Sequence, residues 1–158
     1  MQLTFEPLEK YVRQIDERNT GLITETVLGV NIDKYFMPSV ANVIGTDLTN
    51  YKLLRNGCFA CNPMHVGRDG RLPVALYSDD IPAIVSPAYF VFEIIDKSVI
   101  EPAYLMLCFK RPDFDRMCWF SNPGSGILLY FRKDSLHLSN FLSLTVPMRN
   151  LLYQTPRQ

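Results

Sequence analysis

Two stretches of the chain have residue types and spacing able to do chemistry. The first, Cys58-Phe59-Ala60-Cys61, has the C-x-x-C spacing of a zinc knuckle or a redox pair, with Cys108 and Cys118 as conceivable further ligands. A structural zinc site wants a second tight pair, whereas Cys108 and Cys118 stand ten apart among Leu107, Phe109 and Trp119. Positions three apart on a strand also point to opposite faces. Four cysteines at such irregular spacing do not make a disulfide framework, so buried, reduced thiols are the expectation.

The second stretch, Val66-Gly67-Arg68-Asp69-Gly70-Arg71-Leu72-Pro73, sets two arginines and an Asn62/His65 pair around glycines, directly after an apolar run. Glycine lets a backbone approach phosphate closely, and arginine can fork onto a guanine edge. Lys52 and Arg55, just upstream, would add phosphate contacts. The same residues also describe a plain hairpin turn at Asp69-Gly70, its arginines serving solubility. On these residues alone both readings stay open.

Other combinations fail on spacing. Asn62-Pro63-Met64-His65 shares only its first two residues with the Asn-Pro-Pro-aromatic tetrapeptide of amino-methyltransferases, and no glycine-rich cofactor loop follows a strand. Asp113 and Asp115, with Arg132-Lys133-Asp134, lack the downstream Glu-x-Lys of a metal nuclease and are expected to face solvent on a helix. Neither His65 nor His137 has a cysteine or serine nucleophile at a recognisable spacing. No catalytic residue, cofactor or metal is expected.

The elements that must position these residues follow from periodicity. Leu8, Tyr11, Val12 and Ile15 recur at helical spacing between charges, which predicts an N-terminal amphipathic helix closed by Asn19-Thr20-Gly21. The period then falls to two. Strands are predicted over Leu22–Val30 and Tyr35–Ile44, separated by Asn31-Ile32-Asp33-Lys34. Short apolar runs at Leu53-Leu54, Cys58–Ala60, Val74–Tyr77 and Ala83–Ser86 follow, and Tyr89–Ile95 is the clearest strand. Two short helices, each opened by a proline, are predicted over Glu101–Lys110 and Arg111–Phe120. Asn122–Gly126 reads as a loop, Ile127–Phe131 and Phe141–Val146 as returning strands, and Leu151–Gln158 as a frayed tail. The expected fold is a single α+β domain over residues 1–158: a mixed or antiparallel twisted sheet, an N-terminal helix and a helical segment near 102–118.

At 158 residues, 47% apolar and 20% charged, the chain can bury a core of its own. No apolar run approaches the roughly 18 residues of a membrane span, and the first residues lack signal-peptide grammar, so a cytoplasmic protein without membrane partners is expected. Sixteen basic and sixteen acidic side chains cancel, which excludes a globally basic nucleic-acid binder. The distribution is uneven: residues 51–71 hold four basic against one acidic side chain, and 102–158 hold seven against three. A fold that joins these two segments makes a local positive surface, the quantity that attracts phosphate.

Several motifs occur together in a familiar order. Asp33–Ser39, Tyr51–Gly70 with its Gly-Arg-x-Gly turn, Ile84–Phe92 with Ser-Pro-x-Tyr, and the helical Pro102–Leu105 and Phe114–Arg116 follow a leading Ile-Asp-Glu-Arg-Asn stretch. Over residues 8–120 the chain resembles the target recognition domains of type I restriction-modification specificity subunits. The resemblance implies a non-catalytic reader of double-stranded DNA that directs methylation and restriction by partner subunits. Under it, Lys52, Arg55 and Arg68 would hold phosphate, Asn62, His65 and Arg71 would reach bases, and the 102–118 helices would chiefly pack the sheet. Partners would be double-stranded DNA, the methyltransferase and restriction subunits, and a second copy of the chain. Family members follow the Gly-Ser loop with a glutamine-rich helix that joins a coiled coil, and residues 127–158 show no such helix. That departure opens the alternative of a truncated specificity fragment acting through protein–protein association.

Overall fold

The computed structural model describes residues 5–6, 8–62, 69–120 and 146–147. Its elements are short strands in chain order, β1 (Phe5–Glu6), β2 (Val12–Gln14), β3 (Leu28–Val30), β4 (Phe36–Pro38), β5 (Lys52–Leu54), β6 (Cys58–Cys61), β7 (Val74–Leu76), β8 (Ala83–Val85), β9 (Phe90–Ile94) and β10 (Val146–Pro147). Among the described residues, two helices, α1 (Pro102–Phe109) and α2 (Pro112–Phe120), come between β9 and β10. Every paired strand is antiparallel. A four-stranded sheet runs in the order β2-β9-β6-β7, and β3-β4, β5-β8 and β1-β10 form two-stranded ribbons. This is the α+β fold that the periodicities predict.

Strand alternation separates two hydrophobic clusters across the central sheet. Phe59 and Cys61 of β6, with Phe90, Phe92 and Ile94 of β9, face a cluster completed by Leu105, Met106 and Phe109 of α1 and Phe114 and Cys118 of α2. Cys58, Ala60 and Val91 face the other, completed by Leu54, Ala83 and Val85 of the β5-β8 ribbon. With both faces covered, β6 is buried along its whole length, which is why it reads as an unbroken apolar run. Phe59 and Phe92 stack with centroids 5.0 Å apart, and Phe109 meets both rings edge-on, which locks α1 to the sheet.

The cysteines behave as strand geometry requires. Cys58 and Cys61 lie on opposite faces of β6 in different clusters, so they share no ligand, and the described residues hold no group of three or more metal-ligating side chains. Burial pushes the Cys61 thiol well above its ordinary value and Cys118 up to about 12; Cys58 and the half-buried Cys108 are also raised, chiefly by burial. An unfolded thiol ionises near pH 8.5. The raised folded values therefore contribute stability that is fully present below about pH 8.5 and is lost as pH climbs toward 12. Tyr77 and Tyr104, raised chiefly by burial, add in the same direction, whereas Lys52, lowered by burial, opposes them. At pH 8 a disulfide-exchange reagent is expected to titrate Cys108 first and the other three only on unfolding; prompt reaction in a Cys108→Ser variant would contradict the buried assignment.

Three expectations need correction. The N-terminal helix is absent: one 3-10 turn at Leu8–Lys10 leads into strand β2, whose Val12 pairs with Ile94 and whose Arg13 meets Glu93 at 2.5 Å. Leu8 and Val12 are still buried in the helix-side cluster, so the apolar pattern was right about burial and wrong about conformation. The open edge of β9 offers ladder hydrogen bonds that outweigh the propensity of a short isolated helix. The strands predicted over 22–30 and 35–44 shrink to β3 and β4. Side chains of Asn19, Ser39 and Asn42 bond nearby backbone groups and hold the flanking residues in turns. Asp115 does not face solvent; it is folded against Lys34.

The proline-opened helices, and the strands at β5 to β9, stand where they were predicted. Residues 122–131 and 151–158 lie outside the described residues, and of Phe141–Val146 only Val146 falls within them, in β10. No helix among the described residues is long and apolar enough to cross a membrane.

Asn56-Gly57 turns the chain from β5 into β6. The Cys58 amide donates to the Arg55 carbonyl at 3.0 Å, and Gly57 takes φ +93, the left-handed position of a type II turn. Gly57→Ala is expected to cost about 1–3 kcal/mol through backbone strain, read as a lower urea midpoint at unchanged slope. The added Cβ would also meet Lys97 Nζ at 2.8 Å, but that flexible end can move away.

Candidate functional site

Of the six basic and polar residues singled out by sequence, Lys52 is withdrawn from the surface. Its Nζ donates to the Tyr89 carbonyl at 2.7 Å and faces Asp16 at 3.7 Å, on a nearly buried side chain. It ties β5 to the turn before β9 instead of presenting a charge to phosphate. Arg55 is exposed, but its guanidinium forks onto Glu17, with Nη2–Oε1 at 2.6 Å and Nε–Oε2 at 3.0 Å. That bidentate bond holds the Glu17 carboxyl below its usual range. Asn62 is buried just beyond β6, its backbone N–H donating to the Pro73 carbonyl at 2.9 Å. His65 and Arg68 lie outside the described residues.

Of the four described residues among these six, Arg71 is the one at an open cleft. It lines a cleft of about 510 Å³ together with Asp33, Gly70, Lys110, Asp115 and Arg116. Three chain segments meet there: the hairpin loop between β3 and β4, the chain entering β7, and the junction of α1 with α2. Lys110 and Arg116 are exposed, and neither makes an ion pair among the described residues. Arg71 pairs with Asp33 at 3.1 Å, both side chains more than half exposed. Such a pair contributes at most about 1 kcal/mol, so a phosphate could replace Asp33 at little cost.

Beneath these cations sits a buried polar node. The Lys34 amine donates to the Leu72 carbonyl at 2.6 Å and to Asp115 Oδ1 at 2.7 Å, and the same oxygen accepts the Leu72 amide at 3.0 Å. Lys34 is 6% exposed and its Nζ lies 5.3 Å from the Phe114 ring centroid, a favourable place for a cation. Both backbone groups of Leu72 are thus held, which fixes the chain one residue beyond Arg71. Lys34 sits at φ +67, closing a turn in which its amide donates to the Asn31 carbonyl at 3.1 Å. A non-glycine residue there is strained, and its anchored amine keeps it in place.

Sequence reasoning missed Lys34, Asp115, Lys110 and Arg116 as site residues. The excess of basic residues over 102–158 was the available signal for Lys110 and Arg116, although they sit on elements read as packing helices. The Lys34–Asp115 pair joins positions 81 apart and had no local signal.

The fold and this site define a small α+β protein with a cationic cleft at a helix–helix junction, and with no assembled nucleophile, metal or cofactor constellation among its described residues. No protein-family model matches the chain, and no curated protein matches it.

Proposed function

We propose that the chain reads double-stranded DNA without catalysis, as the target recognition component of a type I restriction-modification system whose partner subunits methylate and cut. The observation that carries this reading is the juxtaposition of Arg71, from the motif-bearing segment, with Lys110 and Arg116 in one cleft. Four cationic against two anionic side chains line it, Lys34 and Asp115 cancelling, so a protein of zero net charge still offers phosphate a positive surface. The anchored Leu72 beside it and its exposed guanidinium support Arg71 as the residue that reaches a base edge.

Binding of the purified chain to pooled random duplexes at two salt concentrations tests this. The expected result is an enriched short motif with affinity falling steeply as salt rises. Retention without an enriched motif, or no retention, would overturn specific reading by this chain alone.

A second reading, association with a partner subunit or a second copy, is favoured by Val40 and Ile44. Both are 90% exposed on the chain between β4 and the next 3-10 turn, where apolar side chains gain nothing from water. A concentration-dependent sedimentation coefficient that Val40→Asp with Ile44→Asp abolishes would support it.

A further inference from the structure

A second depression adjoins the cationic cleft. Lys34 and Lys110 line both: one side holds Arg71 and Arg116, and the other is a space of about 490 Å³ walled by Tyr35, Phe36, Tyr77, Met106 and Leu107, with Asp79 its one carboxylate among the described residues. Each is the size of a small-ligand site. Phe36 and Tyr77 are fixed edge-to-face at 5.4 Å, and the Tyr77 hydroxyl is already used in donating to the Ile81 carbonyl. Tyr35, on the hairpin loop, and Leu107, on α1, remain 55% and 64% exposed. Two large apolar side chains left wet beside Lys110 and Arg116, which have no ion partners among the described residues, call for a ligand that is flat and apolar at one end and anionic at the other.

We infer that the two adjacent depressions together take one unpaired nucleotide, its base against Tyr35 and Leu107 and its phosphate at Lys110 and Arg116. Inorganic phosphate would leave the apolar wall uncovered, and an apolar peptide would leave the charges unmatched. A nucleotide covers both, since a base has a π-face for an aromatic wall whatever its sequence. It can arrive as a free mononucleotide or as an extrahelical residue of a DNA strand, and only the second source rests on the DNA-binding reading above.

The test titrates the full chain into a labelled duplex, into the same duplex with one bulged adenosine, and against free dAMP followed by calorimetry. The bulged duplex is expected to bind about tenfold tighter than the intact one, the gain that stacking of one base supplies. Tyr35→Ala with Leu107→Ser should remove that gain and leave intact-duplex affinity unchanged. Both side chains are largely in water, so the variant is expected to keep its circular dichroism melt. Equal binding of bulged and intact duplex, or a gain that survives in the variant, overturns the nucleotide site while leaving DNA reading in place. Binding of dAMP alone, lost in the variant, keeps the site and overturns DNA reading. No binding of any of the three probes overturns both.

Discussion

Asp115→Ala is expected to lower the melting temperature by on the order of 10 °C, corresponding to about 3–5 kcal/mol. The carboxylate holds the buried Lys34 amine at 2.7 Å and the Leu72 amide at 3.0 Å. Its removal leaves the buried Lys34 charge with no counter-ion and only the Leu72 carbonyl to accept from it, and strips the Leu72 amide of its acceptor. Lys34→Met combined with Asp115→Leu should lose less, because no orphan charge remains and the cost is confined to the unpaired Leu72 amide and carbonyl. Calorimetry of the two variants decides it. A loss below about 1 kcal/mol in Asp115→Ala would mean that Lys34 reaches water once its partner goes. The same substitution frees the chain beside Arg71, so any DNA affinity should fall with it even at temperatures where the variant is folded.

Neutralising the cleft is expected to act on binding and hardly on stability. Lys110→Gln with Arg116→Gln should weaken duplex binding about a hundredfold at 0.1 M salt, roughly tenfold for each phosphate deprived of its cation. The slope of log affinity against log salt should become shallower by about 2. Both side chains are exposed and make no ion pair among the described residues, so the melting temperature should move by less than a few degrees. Lys97→Gln, which removes one positive charge outside the cleft, is the control: a loss as large as that of the cleft variants would mean that net charge alone drives association.

How much of this was readable beforehand depends on range. The split of Cys58 and Cys61 onto opposite faces, the burial of β6 and β9, and the two proline-opened helices follow from periods of 2 and 3.6 and from local chain chemistry. Those rules act within a few residues. Val12–Gln14 shows where they stop, since a helical spacing of apolar residues satisfied the same burial as a strand once β9 presented an unpaired edge.

The charged residues were further out of reach. Their types and regional excess were plain in the chain, and so was Arg71 as a residue of interest. Whether a cation is spent inside the fold or offered to a ligand was decided by packing alone. Lys52 went to the Tyr89 carbonyl, 37 residues away, Arg55 to Glu17, 38 away, and Lys34 to Asp115, 81 away. Lys110 and Arg116 came to stand beside Arg71 without such partners among the described residues. The sequence by itself determined which faces are apolar, because side-chain period is a property of each segment. Only the tertiary structure determined which charges meet and which remain for a ligand, because a charge is neutralised by whatever the fold brings within a few ångströms, and that distance is set by packing between segments remote along the chain.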